Sequence, residues 1–186
     1  MSNNYFLTVM SAFLLPSVAL CQLGAPGGEW PTYGGDLGHT RYSALDQIDS
    51  SNFSELEVAW TFDAANFGPS PEYRYQSTPL MINGRVFTTA GSRRAVVSLD
   101  AKTGEILWMH SLDEGERGEY APRQLSGRGL AYWVSEDGSE ERVIYVTPGY
   151  RMMALDAVTG NPVASFGDNG IVDLKQDADQ QIDLVT

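Results

Sequence analysis

The chain has a single cysteine, Cys21, and only two histidines, His39 and His110, among its 186 residues. One cysteine excludes an internal disulfide. The two histidines are far apart and lack metal-ligand spacing, so no metal site is expected on them. Basic residues are also scarce. The 12 Lys and Arg against 24 Asp and Glu leave a formal net charge of −12, which argues against nucleic acid as a partner. Charge is absent altogether from Met1 to Cys21. Within that stretch, Tyr5 to Leu20 is an apolar run of 16 residues. That is short for a bilayer span of about 20 residues but suits the hydrophobic region of a signal peptide. Residues 1–21 therefore read as a cleaved export signal, with small residues at Ala19 and Cys21 and cleavage before Gln22. Leu20 is too bulky for Cys21 to be a good lipoprotein acceptor. The acidic stretch Asp177 to Asp183 lacks the glycine and closing Glu of a known Ca²⁺ loop and reads as a solvated linker.

Turn residues, by contrast, are plentiful. The 19 Gly and 9 Pro lie between short apolar runs, which predicts many turns and an all-β fold. A repeat organises these runs: Ala95 to Trp108 is matched by Met152 to Phe166. Both read as an apolar strand, a Leu-Asp-Ala-x-Thr-Gly turn at Leu99 to Gly104 and Leu155 to Gly160, and a second apolar strand ending in an aromatic ring. Asp100 and Asp156 can accept hydrogen bonds from amides two or three residues on, while Gly104 and Gly160 supply the positive φ that closes a hairpin.

An earlier strand pair precedes each copy. Thr78 to Ile82, Asn83-Gly84 and Arg85 to Thr89 form a hairpin signal, as do Gly129 to Val134, a polar turn at Glu136 to Glu140, and Arg142 to Val146. Units of four strands with aromatic punctuation are the pattern of β-propeller blades. The expected organisation is an N-terminal segment over residues 22–54 leading into a partial propeller over 55–186, with blades at about 75–110 and 127–167. Leu56 to Trp60 reads as an orphan blade-closing strand, with Trp60 in the place of Trp108. Ile171 to Leu174 reads as the start of a third blade. All four tryptophans are expected to pack between blades. A closed ring takes about four to eight blades, so the chain is expected to be part of a propeller.

Three features suggest a site. Ser111 to Ser126, joining the two blades, is longer and more charged than a blade turn needs, and such loops commonly line a site. Arg128, between Gly127 and Gly129, opens the innermost strand of the second blade, where an Arg suits the carboxylates of a ligand. Gln76 stands at the matching place in the first blade and can both donate and accept.

Taken in order, Glu29 to Asp36, Arg41 to Ile48, Tyr75 to Leu80, Leu99 to Trp108, Arg128 to Trp133 and Tyr145 to Tyr150 make the chain resemble the pyrroloquinoline quinone (PQQ)-dependent dehydrogenases, in particular the quinoprotein glucose dehydrogenase-like branch. The resemblance covers nearly all of Glu29 to Leu174 and marks the chain as an N-terminal part of such an enzyme. It implies an eight-bladed propeller around PQQ, with Arg128 pairing with a PQQ carboxylate and Gln76 standing where some members have a Glu. It also implies a Ca²⁺ ion on PQQ and an Asp base, both supplied by later blades, so that this chain holds neither the catalytic residue nor the metal ligands. Ala121 to Gln124 stand where the methanol dehydrogenase branch has adjacent cysteines. The implied activity is oxidation of a sugar or other alcohol to the lactone or carbonyl in the periplasm, with electrons passed to a quinone or cytochrome. The competing reading is a non-catalytic propeller scaffold of the cell envelope.

Overall fold

The computed structural model describes residues 24–124 and 129–185. The expected export signal, including Cys21, and Arg128 lie outside the described residues. Two antiparallel sheets of four strands make up the fold, each in simple sequence order. The first holds β1 (Leu80–Ile82), β2 (Arg85–Ala90), β3 (Ala95–Asp100) and β4 (Ile106–His110). The second holds β5 (Ala131–Val134), β6 (Glu141–Val146), β7 (Arg151–Asp156) and β8 (Ile171–Asp173). A single turn of helix, α1 (Glu116–Glu119), lies in the loop between the sheets.

The turns form as their residues dictate. Asn83 and Gly84 both take positive φ, 51° and 73°, and close β1 onto β2 with Ile82 opposite Arg85. Asp100 Oδ1 accepts from the amides of Lys102 and Thr103, and Asp156 Oδ1 from those of Val158 and Thr159. The two copies of the repeat thus share one turn geometry.

Alternation along the strands decides how the sheets pack. Phe87 and Val96 from the first sheet and Val143, Tyr145, Met153 and Leu155 from the second form one buried cluster. Trp108 and Tyr132 lie against Phe87, with ring centroids 5.9 and 6.5 Å away. The opposite face of the first sheet, with Ala90, Val97 and Leu99, is covered by the segment carrying Trp60, Phe62 and Phe67.

Leu56 to Trp60 joins no ladder, yet Trp60 does occupy the place of Trp108. The Trp60 indole donates to Ala101 O at 3.1 Å and lies against Gly104, while that of Trp108 donates to Ala157 O at 3.1 Å and lies against Gly160. The other two tryptophans depart from the expected inter-blade role. Trp30 exchanges backbone hydrogen bonds with Met81 on the free edge of β1. Trp133 lies beneath the Arg142 guanidinium, 4.7 Å from its ring centroid, and is 42% exposed.

The second sheet corrects the expected fourth strand. Asn161 to Phe166 begins the predicted hairpin, with Val163 N donating to Ala154 O, but it pairs no further than the isolated bridge Leu155–Pro162. Pro162 brings no N–H to a ladder, and the chain turns where Phe166 N bonds Val163 O. Gly170 O then receives the Ala154 amide, and β8 pairs with β7, Arg151 opposite Asp173. Ile171 to Asp173 is therefore the outer strand of the second blade and does not start a third. In the second copy, the chain between turn and outer strand is about ten residues longer than in the first.

Candidate functional site

One rim of both sheets gathers the segment before β1, the β2–β3 turn, the β6–β7 turn and the inter-blade loop. Between them lies a cleft of about 1180 Å³. Its described walls include Arg74, Gln76, Arg94, Arg123, Gln124 and Tyr150. Among the described residues three guanidiniums and no carboxylate line it, in a chain with twice as many acids as bases.

Gln76 lies in the cleft wall, just ahead of β1. Its neighbourhood is set by Tyr75, whose hydroxyl hydrogen-bonds Thr88 Oγ1 on β2. Gly129, the residue after Arg128, comes close to Thr78. A Cβ at Gly129 would stand 3.4 Å from Thr78 O. The starts of the two innermost strands are thus neighbours.

Arg94 and Tyr150 occupy equivalent turn positions, β2–β3 and β6–β7, and both take left-handed φ, 53° and 64°. Such a backbone costs a non-glycine residue about 1 kcal/mol. From its turn Arg94 reaches across to the second blade, donating through Nη1 to Val146 O at 2.8 Å and through Nη2 to Arg123 O at 3.0 Å. Burial lowers its pKa, opposed by the charge of Glu114.

The inter-blade loop divides into two halves with different work. Glu114, with its side chain 2% exposed, accepts from Thr147 Oγ1 at 2.8 Å, Gly149 N at 2.7 Å and Arg151 Nη1 at 2.7 Å. Arg117 donates from Nε to Gly149 O and forms a two-pronged pair with Asp173, both contacts at 2.6 Å. This half anchors the loop to the second blade. Arg117 holds the Asp173 carboxyl down to about 2 from its ordinary 3.8. The other half, Ala121 to Gln124, lines the cleft. His39 and His110 take no part in the walls. His110 ends β4 half-buried, and burial lowers its pKa.

The sequence pointed to Gln76 and to the loop. It missed Arg74 and Arg94, because neither stands in a recognisable pattern. The signal available in retrospect is the basic pair Arg93-Arg94 at a turn in an acidic chain.

Blade sheets packed face to face, with a cleft over one rim of their turns, define part of a β-propeller. The chain belongs to the PQQ glucose/ethanol/alcohol dehydrogenase β-propeller family, whose model matches residues 30–185. It is 36% identical over 146 residues to the dehydrogenase subunit of the quinone alcohol dehydrogenase of Gluconobacter oxydans (strain 621H), covering 76% of this chain and 17% of that protein. To the glycerol dehydrogenase large subunit of the same organism it is 28% identical over 171 residues, covering 87% of this chain and 23% of that protein. Quinohemoprotein alcohol dehydrogenase from Comamonas testosteroni matches in structure with a TM-score of 0.64 and 26% identity, over 86% of this chain and 21% of that one. The chain spans less than a quarter of the length of these relatives.

Proposed function

We propose that this chain supplies the opening blades of an exported PQQ-dependent dehydrogenase that oxidises a sugar or other alcohol and passes electrons to a quinone or cytochrome. The observation that carries the reading is the cleft. Among the described residues its walls bear guanidiniums and amides and no carboxylate, a donor set that fits a quinone bearing several carboxylates. Gln76 would hydrogen-bond the cofactor without adding charge, and Arg128 would pair with one of its carboxylates. When bound, PQQ supplies the chemistry of taking two electrons and two protons from the alcohol. The residues of this chain bind and orient. The Asp base and the Ca²⁺ ligands belong to blades that the described residues do not include.

Those further blades are also needed for folding. Trp133 and Val134, 42% and 48% exposed, lie on β5, the first strand of a sheet that has no further blade packed beyond it among the described residues. Residues 22–186 alone, given PQQ and Ca²⁺, are expected to give no dye reduction with glucose or ethanol. The same residues within a polypeptide that carries the remaining blades are expected to reduce dye, and to stop when PQQ is withheld. Activity of residues 22–186 alone, or none in the extended polypeptide, overturns the reading.

A further inference from the structure

Two Asn-Gly pairs, Asn83-Gly84 and Asn169-Gly170, share a backbone conformation and differ in their surroundings. Both asparagines take left-handed φ, 51° and 50°, and the glycines after them φ of 73° and 94°. Both glycine carbonyls accept a hydrogen bond, from Ala101 N at 3.0 Å and Ala154 N at 3.1 Å. The amides differ. Gly170 is buried, its N–H donates to Phe166 O at 2.8 Å, and a Cβ added to it would stand 2.6 Å from Pro162. Asn83 and Gly84 are exposed, and a Cβ added to Gly84 would meet nothing within 4 Å. Among the described residues no acceptor takes the Gly84 N–H. The same dipeptide thus carries an open, unbonded amide in the first blade and a covered, bonded one in the second.

We propose that Asn83 is a site of spontaneous deamidation in the folded protein, and that Asn169 is protected from the same reaction. The Gly84 nitrogen attacks Asn83 Cγ, unhindered because glycine has no side chain. A C–N bond forms as the Gly84 N–H proton passes to solvent, and the bond to Nδ2 breaks with that nitrogen leaving as ammonia. Water then opens the succinimide ring at either carbonyl, giving Asp or isoAsp with no oxidant or reductant. Ring closure requires Asn83 to leave its left-handed conformation, which an exposed two-residue turn does by fraying. Gly170 does so only by giving up the bond that its N–H makes to Phe166.

Asn83 ties three segments together. Its backbone N–H donates to the Glu29 carboxylate at 3.0 and 3.2 Å, and its Nδ2 donates to Glu141 Oε1 on the second blade at 3.2 Å. Deamidation removes the Nδ2 donor and sets a third carboxylate beside those two, where like charges repel. The isoAsp product also adds a methylene to the turn that sets Ile82 opposite Arg85. The inner ends of the two blades lose their tie.

The test holds the polypeptide that carries these residues together with the remaining blades in warm, mildly alkaline buffer, with a cooperative melt recorded on each sample to certify that it is folded. Samples taken over time are digested and mapped by mass spectrometry, and isoaspartyl methyltransferase labels the isoAsp formed. The peptide carrying Asn83 is expected to gain the mass of an amide-to-acid conversion and to take the label, while the peptide carrying Asn169 stays unchanged. In urea, where neither turn persists, both peptides are expected to convert at comparable rates. Asn83→Gln is expected to abolish the label at this turn, because its longer side chain closes the corresponding ring far more slowly. The isoAsp-bearing protein, separated by ion exchange, is expected to melt below the unmodified one. Conversion of the folded protein at Asn169 as fast as at Asn83, or none at Asn83 once the urea sample has converted, would overturn the proposal. An unchanged melting midpoint in the isoAsp-bearing protein would overturn the loss of the tie. The reaction needs neither cofactor nor substrate, so its outcome is independent of the dehydrogenase reading.

Discussion

The Trp108 indole of the first blade donates to the Ala157 carbonyl of the second, 3.1 Å away, and its ring lies over Gly160. Gly160 stands at φ +74°, and a Cβ there would be 2.5 Å from Trp108 Cε3. Trp60 and Gly104 repeat the arrangement one blade earlier, with the corresponding approach at 2.6 Å. The Leu-Asp-Ala-x-Thr-Gly turn is therefore a socket for the tryptophan of the preceding unit, and its glycine serves both the turn and the socket.

Gly160→Ala is expected to destabilise the protein by roughly 1–3 kcal/mol, from left-handed strain and displacement of the ring together. Pairing it with Trp108→Leu separates the two causes. The combined loss measured in denaturant should fall short of the sum of the single losses, because the ring clash can be lost only once.

Removing the Arg117 side chain would leave the Asp173 carboxylate without its two-pronged partner in a largely buried place. Arg117→Met is expected to cost about 3 kcal/mol. Limited proteolysis should then cut within residues 111–124 sooner than in the unsubstituted protein, as the loop loses its anchor on the second blade.

Acid should act through the same pair. The folded-state pKa of Asp173 is depressed to about 2 from 3.8, chiefly by the hydrogen bond from Arg117. Its contribution is therefore complete above the unfolded value and is lost as pH falls from about 3.8 through about 2, because the unfolded chain binds the proton more readily. A stability–pH profile should show this loss, and Arg117→Met should flatten it.

Gln76→Leu keeps the approximate size of the side chain and removes its amide. If that amide contacts PQQ, cofactor affinity is expected to fall about tenfold, the equivalent of one net hydrogen bond. Fluorescence titration of PQQ into the holoenzyme's apo form measures it.

Much of the blade pattern was legible in residues that act locally. Asn83-Gly84 announced its hairpin, and Asp100 and Asp156 their turns. The error came where a local pattern met a competing local fact: Asn161 to Phe166 copies the apolar run of Glu105 to Trp108, but Pro162 cannot donate, and the strand position passed to Ile171 to Asp173. The place of Gln76 in the cleft wall follows from its position just before an innermost strand. Glu114 and Arg117, two charges of the long loop, hold that loop to the second blade.

By itself, then, the sequence determined the repeating unit, its turns and the family, because each depends on neighbours a few positions away. Only the tertiary structure decided which charges line the cleft. Arg74, Arg94 and Arg123 come from three separate segments and share one cleft only after two blades have stacked. Glu114 is tied to the second blade because folding brings it Thr147, Gly149 and Arg151 from more than thirty residues away. Electrostatic partners at that distance leave no period in the chain to read.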